Sequence, residues 1–265
     1  MSVDWWYARA YPGGAELMDP ATRVLVPWLR EQGGSRWFFI RYWDMTGHHL
    51  RLRLRAHPDA VDRVHARLPE LRALLDTLRP EPEDRLVPGD FPGPLPTGRA
   101  VRAGLYAPEL AKYGGRDGVA LAEELFTRGS EWYAANDLTK LGRSTDRASL
   151  AVSYLRSVVA AALPSGGEAF WAAHRRHWGW QLRLAVPDQG RLRALLARTA
   201  ASLTPPALDV GDLVAAVVDT LDRAELPREH LLLQYVHMEL NRWGFVPAEE
   251  CLLGILAEST CQTGK

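Results

Sequence analysis

Hydrophobic and polar positions alternate with a period of two near the start of the chain and shift to helical spacing further on. Trp5, Tyr7, Arg9 and Tyr11 alternate with smaller residues, which predicts a strand that Pro12-Gly13-Gly14 ends. A helix through roughly Leu17 to Gln32 follows, closed by Gly33-Gly34. The run from Trp37 to Trp43 is apolar on both faces and predicts a central strand. Asp44-Met45-Thr46-Gly47 reads as a turn, and His49 to Arg55 alternates strictly, so the two segments pair.

From about Pro58 to Leu78, Val61, Val64, Leu68, Leu71 and Leu75 fall at helical spacing. A linker rich in proline and glycine runs from Pro80 to Gly98, a length that in compact proteins marks a functional or mobile loop. Arg99 to Tyr106 predicts a further strand. Later helices are expected over residues 119–128, 147–163, 168–180 with a break at Gly179, 190–203, 210–223 and 228–243. Strands first and helices later predict one α+β domain over residues 1–265. Its largely antiparallel sheet comes from the N-terminal half and packs against helices from the C-terminal half.

Three segments carry candidate chemistry. On the strand after the turn, His49, Arg51, Arg53 and Arg55 line one face while Leu50, Leu52 and Leu54 line the other. A row of like charges repels, so it needs solvent, acidic partners or an anionic ligand. A solvated outer face and a guanidinium site for a carboxylate, phosphate or polar peptide both fit. In Tyr106-Ala107-Pro108-Glu109-Leu110-Ala111-Lys112-Tyr113, Glu109 and Lys112 are spaced to pair on one helical turn, ordinarily a surface feature. In the helix ending near Trp243, Leu233, His237 and Asn241 share a face, and Glu239 and Arg242 sit together at i, i+3. His237 is the best candidate for proton transfer, because imidazole titrates closest to neutrality; a satisfied core histidine is the commoner alternative. His174 and His177, beside Arg175 and Arg176, have ligand-like spacing without acidic or thiol neighbours, and read as a solvated helix face.

Composition narrows the field. The 265 residues are 47% hydrophobic and 24% charged, with 32 basic against 32 acidic side chains, which is an ordinary globular balance. A net charge of zero lacks the electrostatic footprint of a nucleic-acid binder. The two cysteines, Cys251 and Cys261, make neither a disulfide framework nor a metal site alone. Phosphate-loop, dinucleotide, His-Glu-x-x-His and nucleophile-elbow patterns are missing, as are a secretory start and a membrane-length apolar run. A cytoplasmic protein acting without nucleic acid or membrane is expected.

Several segments, in order, resemble the C-terminal glutamate-eliminating domain of class I lanthipeptide dehydratases and the free-standing thiopeptide biosynthesis proteins related to it. They are Trp5-Trp6-Tyr7-Ala8-Arg9-Ala10-Tyr11, Phe38-Phe39-Ile40-Arg41-Tyr42 leading to His49-Leu50-Arg51-Leu52-Arg53, and Tyr106-Ala107-Pro108-Glu109 with Tyr113-Gly114-Gly115. Glu123-Glu124-Leu125-Phe126 and His237-Met238-Glu239-Leu240-Asn241-Arg242 complete the set. The length leaves no room for the family's larger N-terminal domain, which glutamylates Ser and Thr from glutamyl-tRNA, so a stand-alone module is expected.

The resemblance implies one of two activities. One eliminates glutamate from glutamylated Ser or Thr to leave dehydroamino acids. The other, pyridine synthase activity, joins two dehydroalanines of a leader-bearing precursor peptide by a formal aza-cycloaddition, losing water and leader as the macrocycle closes. A non-catalytic leader-binding partner is a third reading. The family's glutamate-handling residues fall on Arg51, Arg53, Glu109 and His237, but its Glu-x-x-Arg arginine is Lys112, and its Asp-Ser pair is Gly129-Ser130. Lysine cannot reproduce the bidentate guanidinium grip on a carboxylate, and glycine removes an acid. Both changes favour pyridine synthesis over elimination.

Under that reading the catalytic set is His237, Glu239, Tyr235 and Arg51. The peptide-binding set is His49, Arg53, Tyr106, Glu109, Lys112, Tyr113, Ser130, Asn241, Arg242 and Trp43. No cofactor or metal is implied. The expected partners are the dehydrated precursor with its leader and the glutamylation and elimination enzymes of the same pathway.

Overall fold

The computed structural model describes residues 3–87, 98–206 and 208–262, with side chains as far as residue 259. Most of the Pro80–Gly98 linker therefore lies outside the described residues. The chain divides into two compact units interleaved in sequence: residues 1–83, 92–109 and 126–139 in one, the remainder in the other.

The first unit is built on a sheet of four antiparallel strands, β1 (Asp4–Tyr11), β2 (Arg36–Asp44), β3 (Gly47–Ala56) and β4 (Ala100–Gly104), in the order β2-β3-β1-β4. Register places Trp6, Ala8 and Ala10 opposite Leu54, Leu52 and Leu50, with Trp37 and Phe39 continuing the rows on β2. Because side chains alternate between faces, this apolar set forms one continuous surface. The helices α1 (Met18–Arg30), α2 (Pro58–Ala66) and α3 (Leu68–Asp76) pack against the strands. Leu50, Leu52 and Leu54 are fully buried, each worth about 2 kcal/mol of transfer free energy.

Two expectations need correction here. The Trp37 to Trp43 run forms β2, which is the outermost strand in the sheet order and not a central one. It looks central because the last turns of α5 (Gly115–Ala135) cover its edge. The Phe39 N–H donates to Ser130 Oγ at 3.3 Å, Trp37 Nε1 donates to Glu131, and Phe126 and Tyr133 lie against Phe38 and Phe39. A covered edge demands apolar residues on both faces just as an interior strand does. The single helix expected from Pro58 to Leu78 is two helices, because Pro69 lacks the N–H that would carry the ladder through Arg67.

The second unit is helical. It holds α4 (Leu110–Tyr113), the first turns of α5, a π-helical turn (Arg143–Arg147) running into α6 (Ala148–Ala162), α7 (Gly167–Ala185), α8 (Gln189–Ser202), α9 (Gly211–Arg223), α10 (Arg228–Arg242) and α11 (Pro247–Gln262). The sequence pattern does not reveal α11, which packs against α6, α7, α8 and α10. It is buried on nearly every side, so it lacks the polar stripe that produces helical periodicity. The break expected at Gly179 does not occur: α7 runs straight through it. A Cβ there would stand 3.3 Å from the mobile end of Arg183 and 3.9 Å, an ordinary contact, from Cys251 Sγ of α11.

Gly244 ends α10 with φ of +99°, the left-handed conformation that glycine adopts freely. The carbonyls exposed at that end are held by buried arginines. Arg147 Nη1 donates to Trp243 O at 3.0 Å, and Arg143 Nη1 donates to Gly244 O at 2.9 Å. These cations meet the negative end of the helix dipole and fix the helix that carries His237. Among the described residues no helix is long and apolar enough to cross a membrane.

Candidate functional site

In the first unit, the sheet face opposite α1–α3 carries the arginine row. Arg51 faces Arg9 on β1 and Ile40 on β2, and Arg9 in turn faces Arg102 on β4. Arg53 faces Tyr7 and Phe38. The solvated reading of this face fails for its centre, where Arg53 is 8% exposed and His49 fully buried; Arg51 and Arg55 are half-buried.

Aromatic rings replace water around these cations. The Arg53 guanidinium lies 4.9, 5.0 and 5.4 Å from the ring centres of Phe38, Tyr106 and Tyr7, and Arg51 lies 3.5 Å above Tyr42. Each such contact contributes about 0.5–2 kcal/mol, more when desolvated. Burial still pushes the Arg53 guanidinium below its ordinary range, with Tyr106, Tyr7 and Glu109 partly offsetting it. Arg53 Nε and Nη1 and Arg51 Nε are buried without a hydrogen-bond partner among the described residues. Unsatisfied guanidinium donors in an aromatic frame can donate to a peptide carbonyl or a carboxylate.

His49 is held between Tyr11 and Tyr42, at 4.6 and 5.6 Å between ring centres, and its Nδ1 donates to Gly47 O at 3.1 Å. Burial pushes its pKa down to about 4, so it is neutral at physiological pH. Tyr106 is half-buried and Glu109 exposed in this unit, and Trp43 is 52% exposed near the β2–β3 turn. Ser130 is fully buried, and its hydroxyl receives the β2 edge N–H, a structural engagement.

In the second unit, α10, α7 and α11 bring a different group together. Leu233, His237 and Asn241 form the half-exposed stripe of α10, as their spacing predicts. His237 Nδ1 is 2.7 Å from Glu250 Oε2, and its ring stacks on Trp178 at 4.4 Å with 27° between planes. The other oxygen of Glu250 lies 3.5 Å from His174 Nε2. Burial by itself would raise the Glu250 pKa, but His237 and His174 outweigh it and hold it at about 2. His174 is fully buried and only His177 is exposed, so the expected solvated histidine pair is corrected.

Other proposed groups here are already committed. Glu239 accepts from Arg242 and from Trp243 Nε1 at 2.8 Å, all three being buried. The i, i+3 pairing of Glu239 with Arg242 was legible in the sequence, but both side chains are occupied inside the unit. Tyr235 is buried against Tyr113, ring centres 6.0 Å apart and nearly parallel, and burial raises its phenol to about 12. Lys112 Nζ sits 5.4 Å over Tyr113, and the Lys112 carbonyl lies 3.2 Å from His230 Nε2. No cluster of metal-ligating side chains occurs among the described residues.

A family model described as the C-terminal part of the lantibiotic biosynthesis dehydratases matches residues 5–260. The chain belongs to that family. As a lantibiotic-dehydratase C-terminal protein it has similar folds among solved structures. The pyridine synthase of thiomuracin biosynthesis superimposes with a TM-score of 0.65 at 18% identity, over 98% of both chains. The tRNA-dependent lantibiotic dehydratase of Microbispora sp. 107891 superimposes with a TM-score of 0.61 at 21% identity, over 99% of this chain but 28% of the dehydratase. No curated protein matches the sequence.

Sequence reasoning missed Glu250, Trp178 and the burial of His174 in this lantibiotic-dehydratase C-terminal protein. The available signal was two adjacent carboxylates, Glu249 and Glu250, at the head of an apolar segment. Buried carboxylates require partners, and searching for histidines to match them would have pointed to His174 and His237.

Proposed function

We propose that this protein is a pyridine synthase, which joins two dehydroalanines of a leader-bearing precursor peptide, with loss of water and of the leader. The observation that carries this reading is His237, half-exposed on α10 with a carboxylate behind one nitrogen, while Lys112 and Gly129 occupy positions of the family's glutamate-handling groups. The likeness to the pyridine synthase over nearly the full length of both chains agrees with it.

The chemistry asks for little beyond positioning and proton transfer. One amide takes up its iminol form, giving an azadiene that adds to the alkene of the second dehydroalanine. Water then leaves the ring, and elimination of the leader as its amide completes the pyridine. Bringing both ends of one peptide together supplies about 7–11 kcal/mol of the barrier reduction. His237 Nε2 takes the amide N–H proton and delivers it to the carbonyl oxygen. After ring closure it takes a proton from the ring carbon next to the carbinol and passes it to the hydroxyl, which leaves as water. Arg51 and Arg53, on the first unit, suit the binding of peptide carbonyls. Tyr106, Tyr42 and Trp43 offer flat surfaces to the peptide. Glu239, Tyr235 and Arg242 act through the packing of α10.

Incubation with a dehydrated, leader-bearing precursor tests the reading by mass. A product lighter by water and leader, with free leader amide, is expected. Glutamate released from a glutamylated precursor, with no cyclised product, would establish the eliminase instead.

A further inference from the structure

Glu249 and Glu250 are neighbours with different duties. Glu249 is spent on the backbone at the start of α11, where Oε1 accepts from Leu86 N–H at 2.9 Å and Oε2 from Val246 N–H at 3.1 Å. Glu250 meets no backbone donor among the described residues; its two oxygens face two histidine rings. It is fully buried, where an unpaired carboxylate is costly. We propose that Glu250 is a positioning residue, which holds His237 in the tautomer with its proton on Nδ1 and its lone pair on Nε2. The proposal rests on the reading of His237 as the proton-transfer group.

An ionised carboxylate only accepts hydrogen bonds, so a ring nitrogen 2.7 Å away must carry a proton. In the neutral ring the other nitrogen is then the base. Trp178 fixes the ring plane by stacking. Behind Glu250, His174 is packed by Phe170 and Trp171, at 5.9 and 6.2 Å between ring centres. A Cβ on Gly254 would stand 2.5 Å from the His174 ring, so that glycine makes room for it. His174 from α7 and His237 from α10 act on this carboxylate, which in turn acts on His177 from α7 and on the neighbouring Cys251. One step further out, Lys112 from α4 acts on His177, and Arg175 and Arg183 from α7 act on Cys251. The low pKa of Glu250 keeps the acceptor ionised throughout the working range.

Nitrogen-15 NMR of histidine-labelled protein reads the tautomer directly. In the neutral wild-type ring, a protonated Nδ1 and an unprotonated Nε2 are expected at His237. The reverse assignment overturns the proposal, whether or not pyridine formation is observed. In Glu250→Gln the amide can face the ring with either end, so a shift toward the Nε2–H form is expected. With it, kcat should fall about tenfold or more while KM stays within about twofold, as losses behind a functional histidine do. The same substitution in a His237→Gln background should cost no further activity; an equal loss there, or an unchanged tautomer in Glu250→Gln, contradicts the positioning role. If Glu250→Gln does not fold, the wild-type spectrum decides alone. If the wild type makes no pyridine yet shows the Nδ1–H ring, the functional reading fails and the positioning stands.

Discussion

His49 shows how burial sets the state of a single side chain. Packed between two tyrosines with its Nδ1 bonded to Gly47 O, it has a folded pKa of about 4, below its value in an unfolded chain. The unfolded state therefore binds the extra proton between about pH 6.5 and pH 4, and stability falls as pH drops through that window. Urea unfolding at pH 7 and pH 4.5 should show this loss, up to about 3 kcal/mol from this residue. His49→Phe should have a smaller acid-dependent loss; an identical one contradicts the assignment. Gly254 is the second residue-scale test. Gly254→Ala drives a methyl into the His174 ring and should destabilise the protein by about 1–3 kcal/mol in urea unfolding. Unchanged stability would mean that α7 and α11 separate at little cost.

Among the elements, α10 depends on what holds its ends. Arg147 supplies donors to Leu141 O and Trp243 O, and Lys cannot span both as a planar fork does. Arg147→Lys should lower stability by about 1.5–3 kcal/mol, read by urea unfolding, because a buried carbonyl at the helix end loses a charged donor. Elements with two chemically distinct faces were legible in advance: the alternation of β3 follows from leucines on the core face and charged side chains on the other, and the stripe Leu233, His237, Asn241 from half-exposure on one side of α10. Elements covered all round were not. The covered edge of β2 looks like an interior strand, and α11 has no polar face to give it a period. Missing α11 meant missing Glu250, so the histidine was found and its carboxylate was not.

For the molecule as a whole, the α+β class and the family were legible because they rest on ordered local patterns that cover most of the chain. The division into two interleaved units was not, since it depends on contacts between segments distant in sequence. The candidate chemistry is likewise split between an aromatic-framed arginine face and a histidine backed by a buried carboxylate. The most direct measurement is a paired intact-mass time course of wild type and His237→Gln on one dehydrated precursor. The account predicts cyclised product and free leader amide from the wild type, and a rate about 10²–10⁴-fold lower from the folded variant. Equal rates from the two proteins, or an unaltered precursor with the wild type, would contradict it.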